Sequence, residues 1–115
     1  MGDEVIYSGF LHGSKVGRTI HYVYAQARND HEKAPLVVWL NGGPGCSSLL
    51  GMLQELGPYL IGNEYKPGYN LTKNEYSWNN NSNVLFLESP AIVGYSSDKD
   101  PKYKYTDEET ADDAL

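Results

Sequence analysis

Cysteine is almost missing: Cys46 stands alone among 115 residues, so no disulfide can close within the chain and a disulfide-stapled scaffold is excluded. One Cys and three scattered His do not supply the ligands of a closed zinc site either. Long apolar runs are absent. The longest, Leu36–Leu40, falls far short of the roughly 18 residues a membrane-spanning helix requires. Basic residues are scarce, nine Lys and Arg against fifteen Asp and Glu for a net charge of -6. With no Lys/Arg cluster on any segment, that balance repels phosphate backbones and argues against nucleic-acid binding. The first residues, Met-Gly-Asp-Glu-Val-Ile, contain neither the basic nor the apolar region of a secretory leader.

What is present suits one small folded domain. Ten Tyr, two Trp and two Phe supply large side chains for packing, and twelve Gly with six Pro supply turns. The acidic excess is local, concentrated in Asp107, Glu108, Glu109, Asp112 and Asp113. Thr106-Asp107-Glu108-Glu109 has the form of a capping box with acidic residues at the positive end of a helix.

Hydrophobic periodicity divides the chain. Thr19 to Gln26 alternates, with Ile20, Tyr22 and Tyr24 on one face and His21, Val23 and Ala25 on the other, which predicts a strand. Val5 to Leu11 carries a weaker strand pattern, and the His-Gly-Ser-Lys-Val-Gly between them supplies turn residues, so the two should pair antiparallel. Leu36 to Leu40 is continuously apolar, the signature of a central strand buried on both faces. After it come Asn41-Gly42-Gly43-Pro44-Gly45 and then Leu49, Leu50, Met52, Leu53 and Leu56 at helical spacing, stopped by Gly57-Pro58. Tyr59 to Asn83, with Gly62-Asn63 and Pro67-Gly68, is rich in turn signals and shows no sustained period. Val84 to Leu87 reads as a second buried strand. The fold class is therefore α/β: antiparallel opening strands, then a β-α-β crossover in a partly parallel sheet.

The turn after Leu40 carries the chemistry. Three Gly and one Pro in four positions bring bare backbone N–H groups to the carboxyl end of a parallel sheet, where open α/β sheets bind ligands. No Gly-Lys-Ser/Thr follows and the glycine spacing does not fit a dinucleotide fingerprint, so an oxyanion or carboxylate suits the turn better than a phosphate chain. A tight turn with no ligand would satisfy the same three glycines.

Trp39-Leu40-Asn41-Gly42-Gly43-Pro44-Gly45-Cys46-Ser47-Ser48 closely resembles the hallmark of the serine carboxypeptidases, secretory-pathway members of the α/β-hydrolase fold. Tyr7 to Leu11 resembles the family's opening strand, Glu55-Leu56-Gly57-Pro58 its helix end, Tyr76-Ser77-Trp78-Asn79 a family loop, and Asn83 to Pro90 its next strand. The resemblance spans nearly the whole chain. Residues 1–115 then correspond to the N-terminal portion of a single α/β-hydrolase domain, ending before the nucleophile elbow.

The family's roles transfer position by position. The resemblance implies that the backbone N–H of Gly43 helps form the oxyanion hole, and that Asn41, Gly42 and Glu55 bind the substrate's terminal carboxylate, supported by Trp39. Glu55 can meet a carboxylate only by sharing a proton with it, which favours acidic pH; without the resemblance it is a surface Glu on an amphipathic helix. Trp39 serves equally as plain core. Cys46 matches a family Cys that is disulfide-bonded to a later one, a partner outside this chain, though it also suits a small buried hydrophobe. Asn70-Leu71-Thr72 and Asn80-Asn81-Ser82 fit the N-glycosylation pattern, a short one that an Asn-rich segment also produces by chance.

Ser47 and Ser48 follow the turn as helix caps. The family's nucleophile lies on a later Gly-Glu-Ser-Tyr elbow, and its triad runs Ser, Asp, His. His12, His21 and His31, which all precede the motif, are accordingly expected to be solvated or strand-surface residues. Leu50 stands where the family usually has a small or polar residue and Ile92 where it commonly has Gly, which bears on fine substrate preference. The implied activity is release of C-terminal amino acids from peptides with a free C-terminus, with no cofactor and no metal, in the lysosome, vacuole or extracellular space. Carrying only recognition and oxyanion parts, the isolated chain is expected to be inactive and to require the remainder of the same protein or a partner chain. A carboxypeptidase-like acyltransferase shares these motifs, and a non-catalytic pseudoenzyme is the alternative from outside the enzyme class.

Overall fold

The structure, a computed structural model, describes residues 4–62, 70–100, 102 and 104–115. The first two strands, β1 (Ile6–His12) and β2 (Arg18–Ala25), pair antiparallel with Tyr7 opposite Tyr24 and Phe10 opposite His21, each within one residue of its expected limits. The faces of β2 separate as a period of two requires. Val23 and Ala25 enter one core with Met52, Leu56, Val84 and Phe86, whereas Ile20 packs on the other side with Leu87 and Ala91.

The two apolar runs form β3 (Leu36–Trp39) and β6 (Asn83–Leu87), which pair parallel with Val37 opposite Val84 and Trp39 opposite Phe86. Strand order is β1-β2-β6-β3, so among the described residues Leu36–Leu40 does not take the central place expected of it. Among the described residues β3 is an edge, and Leu36, Val38 and Leu40 are each at least half exposed. The central position belongs to β6, where Val84 and Phe86 have no exposed surface. Apolar content marks both strands as fit for burial, but edge or centre is decided by which strands bond alongside.

The connection between β3 and β6 begins with helix α1 (Ser48–Gly51), which runs directly into a π-helical turn (Met52–Leu56) and stops at Gly57. Ser47 is its N-cap, the hydroxyl accepting from Leu49 N at 3.2 Å. The following segment, expected to be irregular, holds a hairpin of β4 (Tyr59–Ile61) and β5 (Leu71–Lys73) and a 3-10 turn, Trp78–Asn80. Strands of three residues are too short to show a period. The turn signals at Asn63 and Pro67-Gly68 lie outside the described residues. Polar side chains of this segment close the helix end: Ser77 Oγ donates to Leu56 O and Asn74 Nδ2 to Gly57 O, both at 3.0 Å, satisfying carbonyls that no helical N–H can reach.

Beyond β6, the short β7 (Ser97–Asp98) pairs with the start of β2, and α2 (Asp107–Ala114) ends the chain. Thr106 caps α2, its Oγ1 accepting from Glu109 N at 3.2 Å. The Glu109 carboxylate, however, turns to Lys15 and Arg18. Arg18, only 2% exposed, donates from Nε to Asp98 at 2.9 Å, from Nη2 to Glu109 at 3.1 Å and from Nη1 to Asp113 at 3.1 Å, with the Tyr105 ring 5.3 Å from its guanidinium carbon. Two of the five acidic residues of that segment, Glu109 and Asp113, are thus counter-charges of one buried Arg, and they dock α2 on β2.

These contacts displace the titrations. The Asp100 backbone N–H, at 2.9 Å, leads the groups that hold the Asp98 carboxyl below its usual range against the effect of burial, with Arg18 and Tyr105 adding to it. Burial pushes the Glu109 carboxyl up, but Lys15 and Arg18 more than cancel this and hold it low. Burial, then the bond to Asp98, pushes the Tyr105 hydroxyl up to about 12. A carboxyl depressed on folding contributes stability above its unfolded value, and that contribution is lost as pH falls through the folded one. The thermal midpoint of the protein should therefore be flat above the ordinary carboxylate values of 3.8 and 4.5 and fall progressively below them. Arg18→Ala, which strands three acidic groups, should cost about 3–5 kcal/mol in chemical denaturation at neutral pH and flatten the acid limb; an unchanged acid limb would show that the Arg18 cluster does not set it.

Candidate functional site

Parallel pairing brings the carboxyl ends of β3 and β6 side by side, and the Gly-rich turn leaves the first of them. Gly43 has φ +139 and Gly45 φ +99, conformations that side-chain-bearing residues avoid, so glycine is required there by the backbone. A Cβ added to Gly42 would meet nothing within 4 Å: the space above this residue is open. Gly42, Gly43, Pro44, Gly45 and Cys46 are all exposed. The turn therefore presents bare backbone to solvent and does not bury it under side chains.

Asn41 is held at the base of the turn. Its Oδ1 accepts from Trp39 Nε1 at 2.7 Å and from Gly51 N at 3.2 Å. Its backbone N donates to Ser48 Oγ at 3.1 Å, and Ser48 Oγ donates in turn to Leu87 O at 2.6 Å. With the acceptor end of the amide engaged by two donors, the Nδ2 end is the part a guest would meet. Trp39 is half-buried and packs on the core of Val84, Phe86 and Met52, while its indole N–H is bonded to Asn41. Its ring also meets Trp78 edge-on, centroids 5.5 Å apart at 83°. Trp78 entered the sequence reading only as part of a family loop, and its distance along the chain concealed this contact.

Glu55 is exposed in the π-helical turn, four residues beyond the Gly51 that touches Asn41, about one turn further along the helix. No contact joins it to Asn41 or Gly42 among those described. Cys46 is free and exposed, which removes the buried-hydrophobe alternative. Asn70 is exposed at the start of β5. Asn80 is engaged on both sides of its amide, Oδ1 accepting from Arg28 Nη1 at 2.7 Å and Nδ2 donating to Glu75 O at 2.7 Å. Among the described residues, no group of three or more His, Cys, Asp or Glu stands close enough to hold a metal ion, and no helix is long and apolar enough to cross a membrane.

One histidine departs from expectation. His12 and His31 are exposed, but His21 is buried, its Nδ1 2.9 Å from Oε2 of a fully buried Glu88. Alternation placed His21 on the β2 face with Val23 and Ala25, and that face is covered. The sequence signal for Glu88 is an acidic residue ending the buried run Val84 to Leu87.

Comparison with known proteins agrees with the motif. The family profile described as serine carboxypeptidase matches residues 3–115. The lysosomal protective protein of Mus musculus is 47% identical over 106 residues, covering 92% of this chain and 22% of that protein. Carboxypeptidase Y homolog A of Penicillium rubens is 49% identical over 90 residues, 78% of this chain and 16% of that protein. Among solved structures, Kex1(delta)p, a prohormone-processing carboxypeptidase from Saccharomyces cerevisiae, superimposes with a TM-score of 0.65 at 28% identity over 84% of this chain and 21% of that one. The chain thus spans about a fifth of the length of these relatives.

In the loop after β6, Ile92 has φ +113 while its side chain is 64% exposed. A β-branched residue in that conformation carries about 1–3 kcal/mol of strain, and so exposed a side chain recovers little by packing. Ile92→Gly should stabilise the protein by about 1 kcal/mol after the extra freedom of unfolded Gly is subtracted, read as a rise in the denaturation midpoint. Ile92→Val, equally branched, should leave it unchanged.

Proposed function

Because the chain belongs to the serine carboxypeptidase family, we propose that it forms the substrate-facing part of a serine-type carboxypeptidase that releases C-terminal amino acids from peptides. The nucleophilic Ser, its His base and the orienting Asp are supplied outside these 115 residues. The isolated chain accordingly hydrolyses nothing by itself. In the whole protein, Ser attacks the last peptide carbonyl with His taking its proton, and the acyl-enzyme is then hydrolysed. Gly43 donates its backbone N–H to the oxyanion that develops, in a turn whose backbone is set before substrate arrives. Asn41 Nδ2 and the Gly42 N–H receive the terminal carboxylate, and Glu55 joins them by sharing a proton with it, a contact that favours acidic pH.

The observation that carries this assignment is the state of Asn41. An amide whose oxygen is held by Trp39 Nε1 and Gly51 N offers donors only, the polarity a carboxylate needs. Location follows from kinship: a relative named lysosomal protective protein supports passage through the secretory pathway to a lysosome or vacuole. There Asn70, exposed, is the glycan acceptor, whereas Asn80 is committed to Arg28 and Glu75.

In the full-length protein, Asn41→Ala should lower kcat/KM by roughly 10–100-fold for a peptide with a free C-terminal carboxylate, the worth of one charge-assisted hydrogen bond, and leave slow hydrolysis of the corresponding C-terminal amide almost unchanged. Equal losses on both substrates would make Asn41 a support of the fold and not a carboxylate ligand. For material made in a secreting eukaryotic host, peptide mapping after enzymatic deglycosylation should find Asp at position 70 and unmodified Asn at position 80. The reverse pattern would refute the assignment of Asn70.

A further inference from the structure

Glu88 directly follows β6, has no exposed surface, and is met from three separate parts of the chain. Ser47 Oγ donates to Oε1, Tyr95 N donates to Oε2 at 2.9 Å, and His21 Nδ1 lies 2.9 Å from the same oxygen. The hydroxyl and the amide donate and the ring nitrogen stands within hydrogen-bond distance, the kind of surroundings a side-chain carboxyl withdrawn from water requires. The loop after β6 folds down onto it. Ser96 Oγ donates to Glu88 O at 2.6 Å and accepts from His21 N at 2.8 Å, and Gly94 lies so near that a Cβ there would overlap the carboxylate. A carboxylate kept only to fill space would be outdone by an apolar residue of the same volume; this one has a neighbour that matters.

That neighbour is Ser47, the residue that ends the Gly-rich turn and caps α1. The turn is thereby fastened at both ends to the terminus of β6: Asn41 N through Ser48 Oγ to Leu87 O, and Ser47 through its hydroxyl to Glu88. We propose that Glu88 is a positioning residue for the oxyanion turn, holding the Gly43 N–H in its reactive orientation through Ser47. This rests on the assignment of Gly43 as an oxyanion donor. Glu88 touches no substrate and acts only on the geometry of the turn.

The test uses the full-length protein. Glu88→Gln keeps the volume but replaces one acceptor by a donor, which then faces Ser47, Tyr95 or His21. On a peptide with a free C-terminus, kcat should fall about 100-fold, as expected for a misplaced catalytic donor. Ser47→Ala should also lower kcat, and the double variant should be no worse than the poorer single one, because both break one chain of contacts. Ile20→Ala, in the core on the opposite face, provides a destabilised control that should retain kcat. Multiplying effects in the double variant, or a loss in Ile20→Ala matching that in Glu88→Gln, would overturn the proposal. If Glu88→Gln does not fold, Ser47→Ala decides alone, and unchanged kcat in it is refutation. A second readout does not need activity: the Trp39 indole N–H, 2.7 Å from Asn41 Oδ1, should exchange with solvent at least about tenfold faster in Glu88→Gln. Faster exchange in Glu88→Gln, together with a wild-type protein that shows no carboxypeptidase activity, would sink the proposed function while leaving Glu88 as the anchor of the turn; unchanged exchange in Glu88→Gln would sink the anchor.

Discussion

Strand β6 is hydrogen-bonded on both edges, antiparallel to β2 and parallel to β3, and the rest of the chain arranges itself around that constraint. A strand with neighbours on both sides and layers on both faces is mainly apolar, as Val84, Phe86 and Leu87 are, while the buried Asn83 at its start is hydrogen-bonded to Ala27 N. Its parallel partner can be reached only by a crossover. The chain leaving β3 therefore climbs over the sheet face, and the helix of that crossover sets Met52 and Leu56 on Phe86. The carboxyl ends of β3 and β6 come to lie together, the Gly-rich turn leaving one and Glu88 following the other. Where the site sits is a consequence of parallel pairing.

Arg18 and Glu88 are both buried in this frame, and they solve the same problem differently. Arg18 is surrounded by three carboxylates, two of them carried by α2; its burial is compensated by charge, and the contact joins distant parts of the chain. Glu88 is met instead by oriented donors, a backbone N–H and a hydroxyl, with the His21 ring nitrogen 2.9 Å away. Charge compensation tolerates some slack because Coulomb attraction falls slowly with distance. Hydrogen-bond compensation does not, since it weakens steeply with angle. The second arrangement is the one beside the turn, where geometry matters.

Much of this was legible in the residues. Alternation from Thr19 to Gln26 predicted β2 and the separation of Val23 from Ile20, and Leu49 to Leu56 predicted the helix that ends at Gly57. The capping roles of Ser47 and Thr106 followed from residue type and position. Other features were not legible, for reasons that can be named. The hairpin of Tyr59–Ile61 and Leu71–Lys73 is too short to have a period. The burial of His21 depended on whether the Val23 face of β2 is covered at that height, which alternation does not say. The runs Leu36–Leu40 and Val84–Leu87 both read as buried strands, and which of them is bonded on both sides among the described residues depends on strand order.

At the candidate site the division is similar. Backbone conformation is local, so the glycines at 43 and 45 could be recognised as a turn, and the motif around them as that of a family, from the sequence alone. Strands, helix, turn and kinship were all determined at that level, because each depends on neighbours a few residues away or on direct likeness of residues. Only the tertiary structure decided that β6 is bonded on both sides, that Arg18 gathers Glu109 and Asp113 of α2, that Trp39 and Gly51 orient Asn41, and that Glu88 lies beneath Ser47. Each of these depends on partners up to 95 residues apart, as Arg18 and Asp113 are. Which partners meet is settled by satisfying buried polar groups in three dimensions, a requirement with no local trace in the order of residues.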